Sequence, residues 1–214
     1  MPFSPVPRLI GVAPISRRSV ALGGLSLFAG TVSSSLAFAA DAAGDATFVK
    51  GEAYGEQSGV RRKLAVGAKV FVGDLLSTGP EARLFLNLGK NTTLKLGGGA
   101  QVRIDRYLID AGGEFNLISG PIQFERTVKS PNPDLKFRSV YGLIAVRGTR
   151  FFAGPSNGVF GVLVGHGRVE VTGGGRSVLV GAQQGTDFAR IGARPSPVKT
   201  WGGARVQEAL ASVR

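Results

Sequence analysis

The sequence predicts an all-β protein: short strands with Gly-rich turns, arranged as a β-solenoid-like coil or a two-sheet sandwich, plus a short C-terminal helix. Three observations carry this. From Ala46 to about Arg190, apolar and polar residues alternate in short runs, the period of a strand with one buried face. Gly- or Asn-rich breaks separate the runs at roughly ten-residue spacing, as in sandwiches, barrels and stacked coils. No long helical period interrupts them.

The elements follow in order. Residues 1–39 differ from the rest, because all 14 carboxylates begin at Asp41. Arg8 and "SRRS" (16–19) precede a mild apolar run, Val20–Gly30, and then "SSSLAFAAD". This three-part layout predicts a signal peptide over 1–39, with Ala37-Phe38-Ala39 fitting the small-x-small cleavage rule at Ala39. The pair Arg17-Arg18 points to twin-arginine export. The apolar run is too short and too rich in glycine for a membrane span of about 20 residues, so no stable transmembrane helix is expected after processing.

The β domain is placed at 46–190. "ARLFLNL" (82–88) sets Leu84, Leu86 and Leu88 on one face and Arg83, Phe85 and Asn87 on the other. "TLKL", "QVRID", "GRVEV" and "RSVLV" continue the pattern between "GKN", "GGG" and "TGGG". The 33 glycines show no three-residue period, which excludes a collagen-like chain. They sit at breaks, where turns need positive φ. Neither "GGG" leads from a strand into a helix, which a phosphate cradle would require. Short strand and glycine corner recur without a strict sequence repeat, so solenoid and sandwich both remain open. A Pro/Gly linker follows over 191–203. The short helix is placed at 204–214, where Val206, Leu210 and Val213 share a face and Trp201 is positioned to dock it.

Composition narrows function. Loss of residues 1–39 removes three of the 26 basic residues and leaves 23 against 14 acids, net +9. The basic residues are scattered, with only "RRK" (61–63) as a cluster. No aromatic–basic platform is visible, which argues against nucleic acid. Without cysteine, an exported chain relies on packing and backbone pairing. One histidine and no cysteine exclude a His/Cys metal cluster, so no metal or cofactor is expected. His166, in "VGHGRV", reads as an exposed residue at a hairpin tip. Asp105 and Asp110 flank "RYLI" without forming a recognisable catalytic pair, and no catalytic residue is assigned. Tyr54, Tyr107, Tyr141 and Trp201 are too scattered to argue a sugar platform.

"GDLLSTGPEARLFLNLGKNTTLKLGGGAQVRI" (73–104) resembles the periplasmic FecR domain, through Gly73-Asp74, Thr78-Gly79 and the paired runs Leu84–Leu88 and Leu94–Leu96. "FNLISGPIQF", "LIAVRGTRF", "VLVGHGRVEV" and "VLVGAQQG" resemble the family's later elements in order, Arg-Gly-Thr being the most recognisable. The turn usually written Asp-Gly-Ser reads Gly89-Lys90-Asn91 here. The family's signalling members also carry a membrane helix and a cytoplasmic sigma-factor-regulating segment, where this chain has an export signal. The resemblance implies the fold and a binding or signalling role in the periplasm of a Gram-negative cell. The expected partner is an envelope protein or polysaccharide; the alternative is a structural envelope protein whose basic face grips polysaccharide or an anionic surface.

Candidate binding residues are Arg147, Gly148, Thr149 and Arg150, at the seam between two apolar runs. In the structural reading Gly148 makes a turn or bulge, and Arg147 forks onto carbonyls of a neighbouring strand or pairs with a carboxylate such as Glu170 or Asp74. In the functional reading the arginines face an anionic partner.

Overall fold

The structure is a computed structural model that describes residues 41–108, 112–127 and 134–214. Signal residues Arg17, Arg18 and Ala39 lie outside these, as does Asp110. Sixteen strands and one helix occupy the described residues: β1 (Ala42–Lys50), β2 (Ala53–Gln57), β3 (Val60–Lys63), β4 (Lys69–Phe71), β5 (Leu75–Thr78), β6 (Arg83–Asn87), β7 (Thr92–Leu96), β8 (Gln101–Leu108), β9 (Gly112–Ser119), β10 (Ile122–Arg126), β11 (Asp134–Ser139), β12 (Leu143–Ser156), β13 (Val159–Gly173), β14 (Arg176–Gly181), β15 (Gln184–Phe188), β16 (Lys199–Thr200) and α1 (Gly203–Ala211).

All strands belong to one hydrogen-bonded network that folds over on itself. One layer runs β3-β2-β5-β8-β9-β11 into the first half of β12; the other runs β4-β1-β6-β7-β10 into its second half. Leu143–Val146 pair with β11, while Arg150–Ala153 pair with β10. β13 follows β12 across both layers, then adds β14 to the first and β15-β16 to the second. The long β12–β13 hairpin is therefore the hinge between two faces. Of the two architectures compatible with the sequence, the two-sheet sandwich describes most of the chain. One solenoid-like step survives: β9 and β11 run parallel in the first layer, and β10 lies between them in sequence but in the second layer.

The alternating pattern fills the space between the layers. Leu84, Leu86, Leu94 and Leu96 face inward from the second layer, and Val102, Ile104, Phe115 and Leu117 from the first. Rings from both layers meet: Phe137 lies 5.0 Å from Phe124 and 5.2 Å from Phe151. Such contacts add directional preference to the burial that drives folding.

The glycines divide by role. Asn157-Gly158 and Gly174-Gly175, all at positive φ, make two-residue hairpin loops whose twist matches the flanking strands. "GGG" at 97–99 instead joins β7 in one layer to β8 in the other, a corner rather than a hairpin.

The outer strands β3 and β4 share no backbone pairing, so the network does not close into a barrel. A side-chain latch spans this opening. The Asp74 carboxylate is fully buried and accepts two bonds from Arg62, one of them at 2.9 Å, and one from the Phe71 amide at 2.8 Å. Arg62 also donates to the Lys69 carbonyl. Gly55, opposite Arg62 on β2, leaves room for the guanidinium: a Cβ there would stand 3.1 Å from it. On the outer face of the first layer, Arg138 pairs with Glu114 and holds its carboxyl below the ordinary value.

Candidate functional site

Arg147–Arg150 lie in the middle of β12. Regular pairing with β13 breaks between Arg147 and Arg150. Gly148 sits there at φ 52°, a conformation that costs glycine little and a β-branched residue much. The bulge re-aims the strand, so residues before it serve one layer and residues after it the other. Replacing Gly148 by Val is expected to lower stability by about 1–3 kcal/mol, measured as a shift in urea midpoint. An unchanged midpoint would remove the hinge role.

The four residues do not converge on one spot. Gly148 is the bend. Thr149 is fully buried, and its hydroxyl has no hydrogen-bond partner among the described residues. Arg147 sits opposite Arg168 in the first layer, and its side chain lies outside what is described. Asp74, one of its two suggested partners, is occupied by Arg62. Arg150 emerges on the outer face of the second layer, opposite His166 and 3.7 Å from Glu125. His166 is exposed, but it lies within β13 at this bulge and not at a hairpin tip.

Arg150 borders a cleft of about 510 Å³ between the second layer and α1. The floor comes from a lateral row in register: Gln123 on β10, Phe152 on β12 and Leu163 on β13. α1 forms the wall with Val206, Gln207 and Leu210, and Arg214 stands at the end. Gln123 is 9% exposed, lines the cleft, and makes no side-chain hydrogen bond to the described residues.

The helix is fastened by two residues. Trp201 lies in a slot made by missing side chains: a Cβ on Gly161 would come within 2.5 Å of the indole, and one on Gly185 within 2.3 Å. It packs with Phe152, Leu163, Ala209 and Val213 in a small second core. Arg205 forks onto Asp187 at 2.7 and 3.1 Å, donates to Ser156 Oγ, and stacks 3.5 Å from the Trp201 ring centre.

Gln123 and Gln183 were not singled out from sequence. Gln123 interrupts the apolar positions of "PIQF" on the face expected to be solvated, so nothing local marks it. Tyr54 lies beneath Arg61, Tyr107 donates to the Leu88 carbonyl, and Tyr141 stacks on Phe160, so the tyrosines share no platform. Among the described residues no three His, Asp or Glu side chains gather as metal ligands, and no helix is long and apolar enough to cross a membrane.

Geometry of this kind defines a two-layer all-β module with a cleft on one outer face. Comparison with known proteins places it further. Residues 74–170 match the family model described as FecR protein. The fold is similar to two crystal structures of a "putative anti-sigma factor" from Parabacteroides distasonis ATCC 8503, at 1.65 and 2.50 Å resolution. Each gives a TM-score of 0.54 at 16% identity over 64% of this chain. The matched part spans 64% of one of those chains and 63% of the other. No curated protein matches the sequence. The family match begins at Asp74 and includes Gln123 and the β12 bulge; α1 and Trp201 lie beyond its end.

Proposed function

We propose that this chain is an exported, periplasmic FecR-domain protein: a non-catalytic module that binds, and signals through, another cell-envelope protein. The observation that carries the reading is the FecR match over 74–170 on a fold shared with an anti-sigma-factor-like structure. Such relatives are regulatory rather than catalytic, and a module of this kind works by presenting a surface. The cleft beside α1 is one such surface. It combines apolar walls with a few fixed polar groups, the usual make-up of a recognition site. The leader with Arg17-Arg18 and Ala39 supports export.

The test is crosslinking in intact cells, with capture from the periplasmic fraction. The expected result is an envelope protein crosslinked to the full chain, lost when Arg17-Arg18 are replaced by Lys-Lys and export stops. Capture of cytoplasmic proteins or nucleic acid alone would overturn both compartment and role.

A further inference from the structure

We propose that the cleft between α1 and the second layer binds an extended acidic peptide segment of the partner protein. The inference rests on the protein-binding reading above and deepens it. Gln123 is the starting point. The residue is 9% exposed and lines the cleft, and its carboxamide, open to the cleft, makes no hydrogen bond to the described residues. An amide open to the cleft can exchange its bonds to water for bonds to a ligand. A carboxamide carries both N–H donors and a carbonyl acceptor, which is the complement of one peptide unit. Two bonds to a backbone N–H and C=O would use both of its polar atoms.

The surroundings select the rest of the ligand. Phe152, Leu163 and Leu210 make an apolar surface beside Gln123, able to take an aliphatic side chain from the same segment. Two guanidinium groups line the cleft, from Arg150 and Arg214. Among the described residues Arg150 pairs with Glu125 at 3.7 Å, too long for a hydrogen bond; its fork can still take a carboxylate. Arg214 is exposed. A glycan strand would set hydroxyls against the apolar wall without partners there, which disfavours it. An acidic, partly aliphatic peptide satisfies the amide, the wall and both guanidinium groups together.

The site is joint property of two parts of the chain. Gln123, Arg150, Phe152 and Leu163 lie inside the FecR-matched residues, while Leu210 and Arg214 lie beyond them. Recognition at this cleft therefore depends on α1 being seated.

The experiment immobilises the full chain and measures retention of two peptide pools, Glu-X-X-X-Glu and Lys-X-X-X-Lys, where X is Leu, Val, Ser or Asn. The acidic pool is expected to be retained at least about tenfold over the basic one. Gln123→Leu should lower acidic-pool retention by about tenfold, and Arg150→Glu by at least as much. Melting temperature and Trp201 emission of the free protein should stay as in the parent. Arg150 is half exposed, so its substitution keeps the test valid if Gln123→Leu fails to fold. Equal retention of both pools, or wild-type retention by a folded Gln123→Leu, overturns the proposal. So does retention of tetragalacturonate in place of the acidic pool. If crosslinking in cells captures the same envelope protein with parent and Gln123→Leu alike, the cleft assignment falls and the protein-binding role stands. If no envelope protein is captured at all, the role itself falls.

Discussion

Replacing Asp74 by Ala is expected to cost about 3 kcal/mol of folding stability, and replacing Arg62 by Ala about 5 kcal/mol. Both follow from one buried constellation. Asp74 is fully enclosed, and its charge is met by Arg62 and the Phe71 amide. Without Asp74, the Phe71 N–H loses its acceptor, but Arg62, with 31% of its side chain exposed, can turn partly back to water. Without Arg62, a carboxylate stays in the interior with one N–H for company, and desolvation of that charge goes uncompensated. The order of the two losses is therefore part of the prediction. The pair Arg62→Met with Asp74→Leu should recover most of either loss, because a buried ion pair gains little over apolar residues of similar volume. Urea unfolding of the three variants checks this. Single-variant losses both below about 1 kcal/mol would mean the latch acts as an exposed ion pair. Since it spans the opening between β3 and β4, its loss should also loosen the end of the sandwich, read as faster amide exchange at Leu64 and Val72.

The latch also shows what sequence reasoning can and cannot reach. The all-β class was legible because alternation is a one-dimensional signal: Leu84, Leu86 and Leu88 declare their face without reference to anything else. The hinge at Gly148 was legible as a bend, since an arginine and a glycine break an apolar run. Its consequence was not, because dividing β12 between β10 and β11 is a property of partners distant in sequence. "RRK" reads as a basic cluster, yet the same alternation turns only Arg62 toward Asp74, and Gly55 must lie opposite to admit it. Asp74, one of the partners suggested for Arg147, is already bonded by Arg62 and the Phe71 amide, a pairing no local pattern announces. In the cleft, Arg150 was named from the motif. Gln123 was not, because an amide on a solvated strand face is unremarkable until a helix from elsewhere covers it.

That covering helix makes Trp201→Ala the most informative change outside the β layers. The indole is 4% exposed and fills the slot over Gly161 and Gly185. Truncation of a buried Trp costs about 3–5 kcal/mol where the site cannot collapse. Here the surrounding strands are tied into the main network, so the cavity persists and α1 is the part free to leave. α1 has little to hold it by itself. It is short, has no side-chain cap at its start and carries no acid in its first turn, so its helicity depends on the contacts it makes. The expected result is local detachment: proteases gain access to the segment between β15 and α1 while the β signal in circular dichroism persists. Acidic-pool retention should vanish with the cleft's wall. Gly185→Ala should produce the same detachment by a different route, since its Cβ would occupy the indole's place while Trp201 itself is intact. Its emission then reports the outcome directly, shifting to the red as the ring enters water. If Gly185→Ala instead leaves emission blue and α1 protected from exchange, the slot does not seat the helix, and the cleft would have to be held open by Arg205 and Asp187 alone.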